Sequence, residues 1–278
     1  MTAPSTTAPA RPQRFGYLAE LWRRRDFAWY TALGNLRARH SNTFLGAVWW
    51  VLSPLLLGMV FLLVFGIILD TRKGDPNYVG YLLSGLFAFT FTRTVMTSGV
   101  QAMKTNAKLI STRQFPRLLL PITAVIEAAI GFLASIIPFF LIVGISSGQW
   151  PGTYSLILLP IFVLHVLFNV GLAVFFTVLV IPVPDLGNFM QFLSRIWLYT
   201  SPIIFPIDVR LKELSEFWFT VLSFNPMVSF LGVYRGALLG RDIDPVHWFG
   251  SIAWGVGLLV VGVYLFIRNE TRLVRYLR

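Results

Sequence analysis

Long apolar runs without charge dominate the pattern of hydrophobic and polar positions along this chain. The first covers residues 43–69 and has no charged side chain in 27 positions. As an α-helix it would be about 40 Å long, which exceeds the ~30 Å hydrocarbon core of a bilayer. The run therefore predicts a membrane-spanning helix rather than part of a water-soluble domain.

Five more apolar runs follow, separated by shorter polar or basic segments. We predict an all-α integral membrane fold with six transmembrane helices in one domain, residues 15–278. A Pro/Thr/Ala-rich tail over residues 1–14 is predicted to be disordered. The predicted spans are 43–69, 78–98, 118–145, 154–181, 189–205 and 248–267.

An amphipathic pattern over residues 15–40 precedes the first span. Apolar residues recur there at spacings of 3, 4, 7, 4 and 3, which is one face of a helix, and five arginines accompany them. Such a helix, with tryptophan on its apolar side, is typical of the membrane interface, although an ordinary buried helix is an alternative. The stripe consists of Phe15, Leu18, Trp22, Trp29, Leu33 and Leu36.

The basic residues predict the orientation. Seven arginines precede the first span, four basic residues separate spans two and three, and four arginines follow span six. The loop between spans three and four has no charge. Both termini are therefore expected in the cytoplasm. The net charge of +11 favours anionic lipid over nucleic acid as a partner, because the basic residues cluster beside apolar spans.

Two shorter apolar stretches flank Asn225-Pro226 between spans five and six. They hold about ten and fourteen residues, too few to cross a bilayer, and Arg235 interrupts the second. We predict a re-entrant helical hairpin that enters the outer leaflet beside a cavity, since irregular backbone at that depth needs protein or water around it. Two helices lying flat on the membrane surface are the alternative.

Five motifs occur in a fixed order. They read HSNTFLGAVWWVLSPLL, YVGYLLSGLFAF, NAKLISTRQFPRLLLPI, YTSPIIFPIDV and FNPMVSFLGVYRGALLG. In this order they resemble the permease subunits of type-two ABC exporters, in the polysaccharide and teichoic acid branch (Wzm-like permeases), from about Asp26 onward. One element departs from that family: the loop after span four reads IPVPDLGNF, with Asp185 but without the arginine that commonly precedes the aspartate.

The resemblance implies an assembly of two permeases with two copies of a separate nucleotide-binding ATPase, which would hold ATP and Mg. This chain has no G-x-x-x-x-G-K-[ST], no H-E-x-x-H and only three scattered histidines, so we expect no catalysis, cofactor or metal site on it. The predicted function is export of a lipid-linked polysaccharide through a channel at the homodimer interface. A small-lipid or drug exporter of the same superfamily, or an ATP-independent secondary transporter, are the alternatives. O-antigen, teichoic acid and galactan all stay open as substrates.

The ATPase is expected to dock on the basic segment between spans two and three, which resembles the coupling helix of the family. Charges that only set topology are the alternative explanation. The candidate coupling residues, including the acid after span four, are Lys104, Asn106, Lys108, Leu109, Ile110, Arg113, Phe115 and Asp185.

Ionisable residues inside spans are candidates for function. They are Arg93, Glu127 and His165, and we predict that Glu127 is a buried structural partner of Arg93 or His165, with substrate contact as the alternative.

Aromatic residues could contact a sliding polymer through the apolar C–H faces of its sugars, although lipid-facing packing also enriches Trp and Tyr. Spans one and five line the channel in the resembling family. Their rings are Trp49, Trp50, Phe61, Phe65, Phe192, Trp197, Tyr199 and Phe205. The predicted outer gate comprises Phe217, Trp218, Phe219, Asn225 and Arg235, with Arg235 near the pore exit or near Asp208, Glu213 or Glu216.

Overall fold

The computed structural model describes residues 14–40, 44–68, 78–112, 115–148, 150–204 and 216–276, and all regular secondary structure in these ranges is helical. Within these ranges, four helices are long and apolar enough to cross a membrane. They are Tyr78–Thr105, Leu119–Ser147, Thr153–Val180 and Pro245–Arg275. These match predicted spans two, three, four and six, and the first and last of them continue several residues beyond the predicted ends. The chain is therefore a multi-pass membrane protein.

We number the α-helices in chain order. They are α1 (Arg14–Arg23), α2 (Arg25–His40), α3 (Trp49–Phe61), α4 (Tyr78–Thr94), α5 (Val100–Thr105), α6 (Ala107–Thr112), α7 (Leu119–Ser147), α8 (Leu158–Val180), α9 (Asp185–Thr200), α10 (Glu216–Ser223), α11 (Pro226–Leu239) and α12 (Pro245–Arg275). Short 3-10 turns precede α3 and α8, at Gly46–Val48 and Thr153–Ile157. Two π-helical segments follow α3 and α4, at Leu62–Ile68 and Val95–Gly99.

The first and fifth predicted spans differ from the structure. The first is helical from residue 46 to residue 68, but its geometry changes from 3-10 to α and then to π. The fifth, α9, has 16 residues and would be about 24 Å long. It ends at Thr200 because Pro202 disfavours the helical conformation of Ser201, which is extended with φ −94° and ψ 149°. Residues 43, 69 and 205 lie outside the described ranges.

The amphipathic segment is also divided, into α1 and α2, at Arg24. Trp22 and Trp29, which the predicted stripe places on its apolar side, are exposed. The side chains that this segment buries are Tyr17, Ala28, Ala32 and Leu36. Small alanines face the bundle because they let α2 approach α7 closely, so the bulky tryptophans point outward. The side chains of Phe15 and Leu18 are outside the described set.

Glycines bring the backbones of α8 and α12 into close contact. A Cβ atom added to Gly171 would lie 2.5 Å from the backbone carbon of Leu258, and one added to Gly262 would lie 2.5 Å from the carbonyl oxygen of Gly171. Because lipid tails are as apolar as leucine, such close backbone packing is a main source of affinity between membrane helices.

The segments near both termini meet at one end of the bundle, which we call the basic end. The backbone N–H of Leu118, at the start of α7, donates to the hydroxyl of Tyr17, and Arg117 pairs with Glu270 of α12. Lys104 lies at the same end, on the helix that leads toward α7. The opposite end contains the break after α9 and the start of α11.

Candidate functional site

Three of the five sequence motifs meet in space at the end of the bundle opposite the basic end. They contribute the start of α4, the break after α9, and α11 with its N-cap. We call Tyr78, Tyr81, residues 201–204, Asn225 and Arg235 the motif junction. Its polar contacts connect segments more than 100 residues apart in the chain.

Arg235 is the centre of the motif junction. Its Cζ atom lies 3.4 Å from the centroid of the Tyr81 ring, which is cation–π geometry. Its Nη2 atom donates to the carbonyl of Tyr81 at 3.4 Å and to the carbonyl of Pro202. Gly85 leaves the necessary space, because a Cβ atom there would lie 3.1 Å from that nitrogen and 3.3 Å from the Cα atom of Ile203. The partners of Arg235 here are therefore carbonyls and a ring.

The acidic residues expected near Arg235 lie outside the described set: residues 208 and 213 and the side chain of residue 216.

Two tyrosines complete the motif junction. The hydroxyl of Tyr81 donates to the carbonyl of Pro202 at 3.1 Å, and that of Tyr78 donates to the carbonyl of Ile204 at 3.3 Å. Carbonyls at a broken helix end need such donors, since no further turn of helix supplies them.

Asn225 fastens the start of α11 to the end of α9. Its Oδ1 accepts from the indole of Trp197 at 2.8 Å and from the backbone N–H of Met227 at 2.9 Å. Its Nδ2 donates to the hydroxyl of Ser201 at 3.0 Å and to the carbonyl of Thr200 at 3.3 Å. Trp197 is half-buried, and its hydrogen bond to this amide joins α9 to the start of α11.

A buried histidine lies beside the motif junction. His165 of α8 bonds to Thr92 Oγ1 at 2.8 Å and to the Tyr234 hydroxyl at 3.2 Å, one through each ring nitrogen. Phe91 and Phe230 pack on its ring, with centroids 4.8 Å away in both cases. His165 is thus a satisfied core residue that joins α4, α8 and α11. Thr92 carried no sequence signal that separated it from other apolar-span residues, whereas Tyr234 belongs to one of the five motifs.

Glu127 has partners other than the predicted ones. It accepts from Asn35 Nδ2 at 2.7 Å and pairs with Arg39 Nη2 at 3.4 Å. The predicted contact with Arg93 or His165 is wrong: Arg93 is exposed on α4, and both nitrogens of His165 are engaged elsewhere. The reason is that α2 packs on α7 and presents Asn35 and Arg39, one turn apart, to Glu127.

Several curated proteins are similar in sequence to this chain. The chain is 28% identical over 223 residues to the O-antigen export system permease protein RfbA of Myxococcus xanthus, which covers 79% of this chain and 84% of that protein. It is 26% identical over 242 residues to the protein of the same name from Klebsiella pneumoniae (86% and 89% covered). It is 22% identical over 235 residues to the polysialic acid transport protein KpsM of Escherichia coli (84% and 86% covered). No protein-family model matches the chain.

The resemblance predicted from the motifs is confirmed. The similar proteins are permease subunits of type-two ABC exporters, and permease subunits of this kind are not enzymes themselves. Within the described ranges, no group of three or more His, Cys, Asp or Glu side chains could hold a metal ion.

The segment compared with the coupling helix of these permeases forms two short helices at the basic end. Asn106 ends α5 with φ −102°, and its Nδ2 donates to the carbonyl of Ala102 at 2.8 Å. On α6, Lys108 is exposed and Ile110 is buried. The ring of Phe115 lies 5.6 Å from that of Phe27 of α2. Leu109 of α6 is half-buried, and Arg113 lies outside the described set.

The loop after span four lies against this segment. Asp185 is exposed at the start of α9. Two residues later, a Cβ atom added to Gly187 would lie 3.3 Å from Gln101 Nε2 and 4.0 Å from Lys104 Nζ. The sequence candidates Lys104 and Asp185 therefore belong to neighbouring parts of one surface.

Glu270 and Tyr17 were missed by sequence reasoning. Arg117 Nη1 lies 3.1 Å from a carboxylate oxygen of Glu270, and the backbone N–H of Arg117 donates to the same oxygen at 3.4 Å. Burial and the nearby Glu270 charge raise the pKa of the Tyr17 hydroxyl well above its ordinary value. Glu270 did carry a signal, because it is the one acid in the basic stretch of residues 268–278. The contact ties α1, the start of α7 and α12 together.

Apart from Trp197, the candidate channel aromatics whose side chains are described fall into two groups. Phe192 and Tyr199 are exposed on α9, where Phe189 and Ile196 continue the same outward stripe at helical spacing. Trp49 and Phe61 are half-buried, and Phe61 packs against the main core. The side chains of Trp50 and Phe65, and the whole of residue 205, lie outside the described set.

The predicted hairpin is represented by two short helices, α10 and α11, on either side of Asn225-Pro226. Phe217 of α10 is exposed, and the side chains of Trp218 and Phe219 lie outside the part of the chain that the structure describes. Asn225 is the N-cap of α11, and Gly240 ends that helix with φ 64°. The buried side of α11 packs on α4, α8 and α12.

Proposed function

We propose that the chain is the permease subunit of an ATP-driven exporter that moves a lipid-linked polysaccharide across the bacterial cytoplasmic membrane. The observation that carries the proposal is similarity over most of the chain to proteins named for O-antigen export and polysialic acid transport. O-antigen, teichoic acid and galactan are all compatible with it. A small-lipid exporter of the same superfamily has no specific observation in its favour.

A channel at the interface of two copies is part of the proposal. The outward stripe on α9 supports it, because Phe189, Phe192 and Tyr199 are 49%, 59% and 64% exposed. Flat rings offer partners to the C–H faces of sugars without fixing one register, as a sliding polymer requires. We propose a second copy of the chain and the anionic lipids around the basic segments as partners. The channel is the proposed path of the polymer.

The six-span topology includes α10 and α11 as a re-entrant hairpin. Nine of the 14 residues of α11 are buried, and they contact three other helices. A helix lying flat on a membrane would bury one stripe against lipid, so this burial favours insertion between the spans. The basic end is then cytoplasmic, because it has the arginine clusters.

Cysteine labelling tests this topology, since the chain has no cysteine of its own. We expect Asp242→Cys, in the exposed turn before α12, to react with a membrane-impermeant thiol reagent added outside cells. Thr271→Cys, exposed on α12 at the basic end, should react only after the membrane is opened. Labelling with the opposite sidedness would contradict the orientation.

The ATPase is proposed to dock on α5, α6 and the start of α9, with ATP and Mg held by that subunit. Lys108→Glu reverses an exposed charge on this surface. We expect transport-coupled ATP hydrolysis to fall several-fold while the amount of permease in the membrane is unchanged. Arg241→Glu, exposed at the opposite end, is the matched charge reversal and should have little effect. Equal effects of the two variants would argue against docking here.

Export itself is tested in cells of the source bacterium that lack the chain. The lipid-linked glycan should accumulate on the cytoplasmic side and reappear outside when the gene is restored. Normal glycan export without the chain would refute the proposed function, and accumulation of a small lipid instead would support the other exporter class.

A further inference from the structure

A cavity of about 310 Å³ lies between α2, α3, α4 and α7, apart from the motif junction and the coupling segment. Its volume is at the lower end of the range for ligand-binding pockets. Rings from three helices form much of its wall: Trp49, Phe87, Phe91 and Phe132. Arg39 and Glu127 lie at its polar end.

Four of the five hydroxyl groups along the wall, all except that of Ser53, are engaged within their own helices. Thr90 donates to the carbonyl of Leu86 at 2.7 Å, and Ser135 donates to that of Phe132 at 2.6 Å. Thr94 and Ser98 donate in the same way to carbonyls one turn earlier, at 2.8 and 2.7 Å. Because these hydroxyl protons are already donated to backbone carbonyls, the wall presents mainly hydrocarbon and aromatic surface. A sugar would find few donors there, whereas an aliphatic chain needs none.

The cavity is elongated along the helices. On α7 it extends from Glu127 to Ser135, about 12 Å by helical rise. On the antiparallel α4 and the π-helical segment after it, the lining reaches from Phe87 to Ser98, about 16 Å. Ser98 and Glu127 both lie toward the basic end, so the slot has its polar end there. This shape suits an extended acyl chain better than a compact molecule.

The polar end can hold a negatively charged group. Glu127 is satisfied by Asn35 at 2.7 Å and by Arg39 at 3.4 Å, and 12% of its side chain is exposed. The Arg39 side chain is 57% exposed, so its guanidinium is accessible from outside the cavity. Guanidinium binds phosphate well, and the arginines of α1 and α2 make this region attractive to anionic headgroups.

We propose that this cavity binds one acyl chain of an anionic phospholipid, whose phosphate contacts Arg39. The lipid comes from the leaflet at the basic end, which is the cytoplasmic leaflet in the topology proposed above. It would fill the gap between α2 and the spans and so fasten α2 to them. The binding site does not depend on which polymer is exported.

Native mass spectrometry of the purified full-length protein, titrated with phosphatidylglycerol, tests the site. Gly131→Leu should occupy the cavity, because Gly131 lines it and a Cβ atom there meets no other atom within 4 Å. Gly257→Leu is the matched control, since Gly257 on α12 is equally open but does not line the cavity. We expect Gly131→Leu to retain one phosphatidylglycerol fewer per chain than the wild type, and Gly257→Leu to equal the wild type.

The headgroup contact is tested with Arg39→Gln, which should weaken phosphatidylglycerol binding roughly fivefold. Gly131→Leu leaves Arg39 and Glu127 in place. Phosphatidylglycerol retention by this variant therefore tests the site even if Arg39→Gln folds poorly. Unchanged lipid retention by Gly131→Leu would overturn the site. Equal binding of phosphatidylcholine would overturn the anionic preference, and a retained mass equal to that of a lipid-linked glycan would overturn the phospholipid. Failure of glycan export or of the topology test would leave these measurements unaffected.

Discussion

Replacing Gly171 with alanine is expected to lower the melting temperature of the detergent-purified protein by about 5–10 °C. The added methyl group would lie 2.5 Å from the backbone of Leu258, and backbone atoms cannot move aside as a flexible side chain can. The helices α8 and α12 must therefore separate. Overpacking of this kind costs about 1–3 kcal/mol, and a protein of this size loses a few degrees for each kcal/mol.

The glycines of this contact provide an internal series. Gly262→Ala should resemble Gly171→Ala, because its Cβ atom would lie 2.5 Å from the carbonyl oxygen of Gly171. Gly255→Ala should cost less, since its nearest atom, the carbonyl oxygen of Leu164, would be 3.0 Å away. Gly257→Ala meets nothing within 4 Å and should be neutral or slightly stabilising, because alanine favours helix.

Thermal unfolding monitored by circular dichroism measures the four variants under one set of conditions. Gly171→Ala and Gly262→Ala combined should cost less than the sum of the two, because either methyl group already separates the same helices. A melting temperature of Gly171→Ala equal to that of Gly257→Ala would show that the α8–α12 contact is looser than the structure has it.

The spans were predictable to different degrees for a physical reason. Spans two, three, four and six depend on hydropathy over some 20 residues, which needs no knowledge of neighbours. The predicted end of the fifth span, residue 205, lies beyond the observed end of α9 at Thr200. Apolar residues continue past Pro202 in the sequence, although proline stops the helix before it. The π-helical turns after α3 and α4 carry no comparable sequence pattern.

The contact partners of charged side chains were less predictable than the positions of these residues along their helices. Helical rise places Glu127 and Arg93 at depths where they could meet, but it says nothing about the direction in which each side chain points. Arg93 faces outward, and the residues that reach Glu127 come from α2, outside the predicted spans. Likewise, the motifs with Tyr81 and Arg235 were recognised singly, whereas their contact across about 150 residues of sequence needed the structure.

Arg235→Lys is expected to reduce both the melting temperature and glycan export, the latter at least tenfold. Lysine keeps the charge but not the planar group that stacks on Tyr81 while it donates to the carbonyls of Tyr81 and Pro202. Hydrogen bonds from a charged donor contribute about 1.5–3 kcal/mol each, so the break after α9 should loosen from α4 and α11.

The variants of Arg235 separate a bracing role from the pore-exit role that its charge suggests. If the guanidinium braces the motif junction, Arg235→Lys and Arg235→Met should both lower the melting temperature, and export should fall with it. If only the positive charge acted on a passing polymer, Arg235→Lys would keep export, and Arg235→Met would lose export at an unchanged melting temperature. Arg241→Lys, on the exposed turn after α11, is the matched control and should change neither quantity. We expect the first pattern, because the contacts of Arg235 join α4, α9 and α11 at the point where the helical backbone is interrupted.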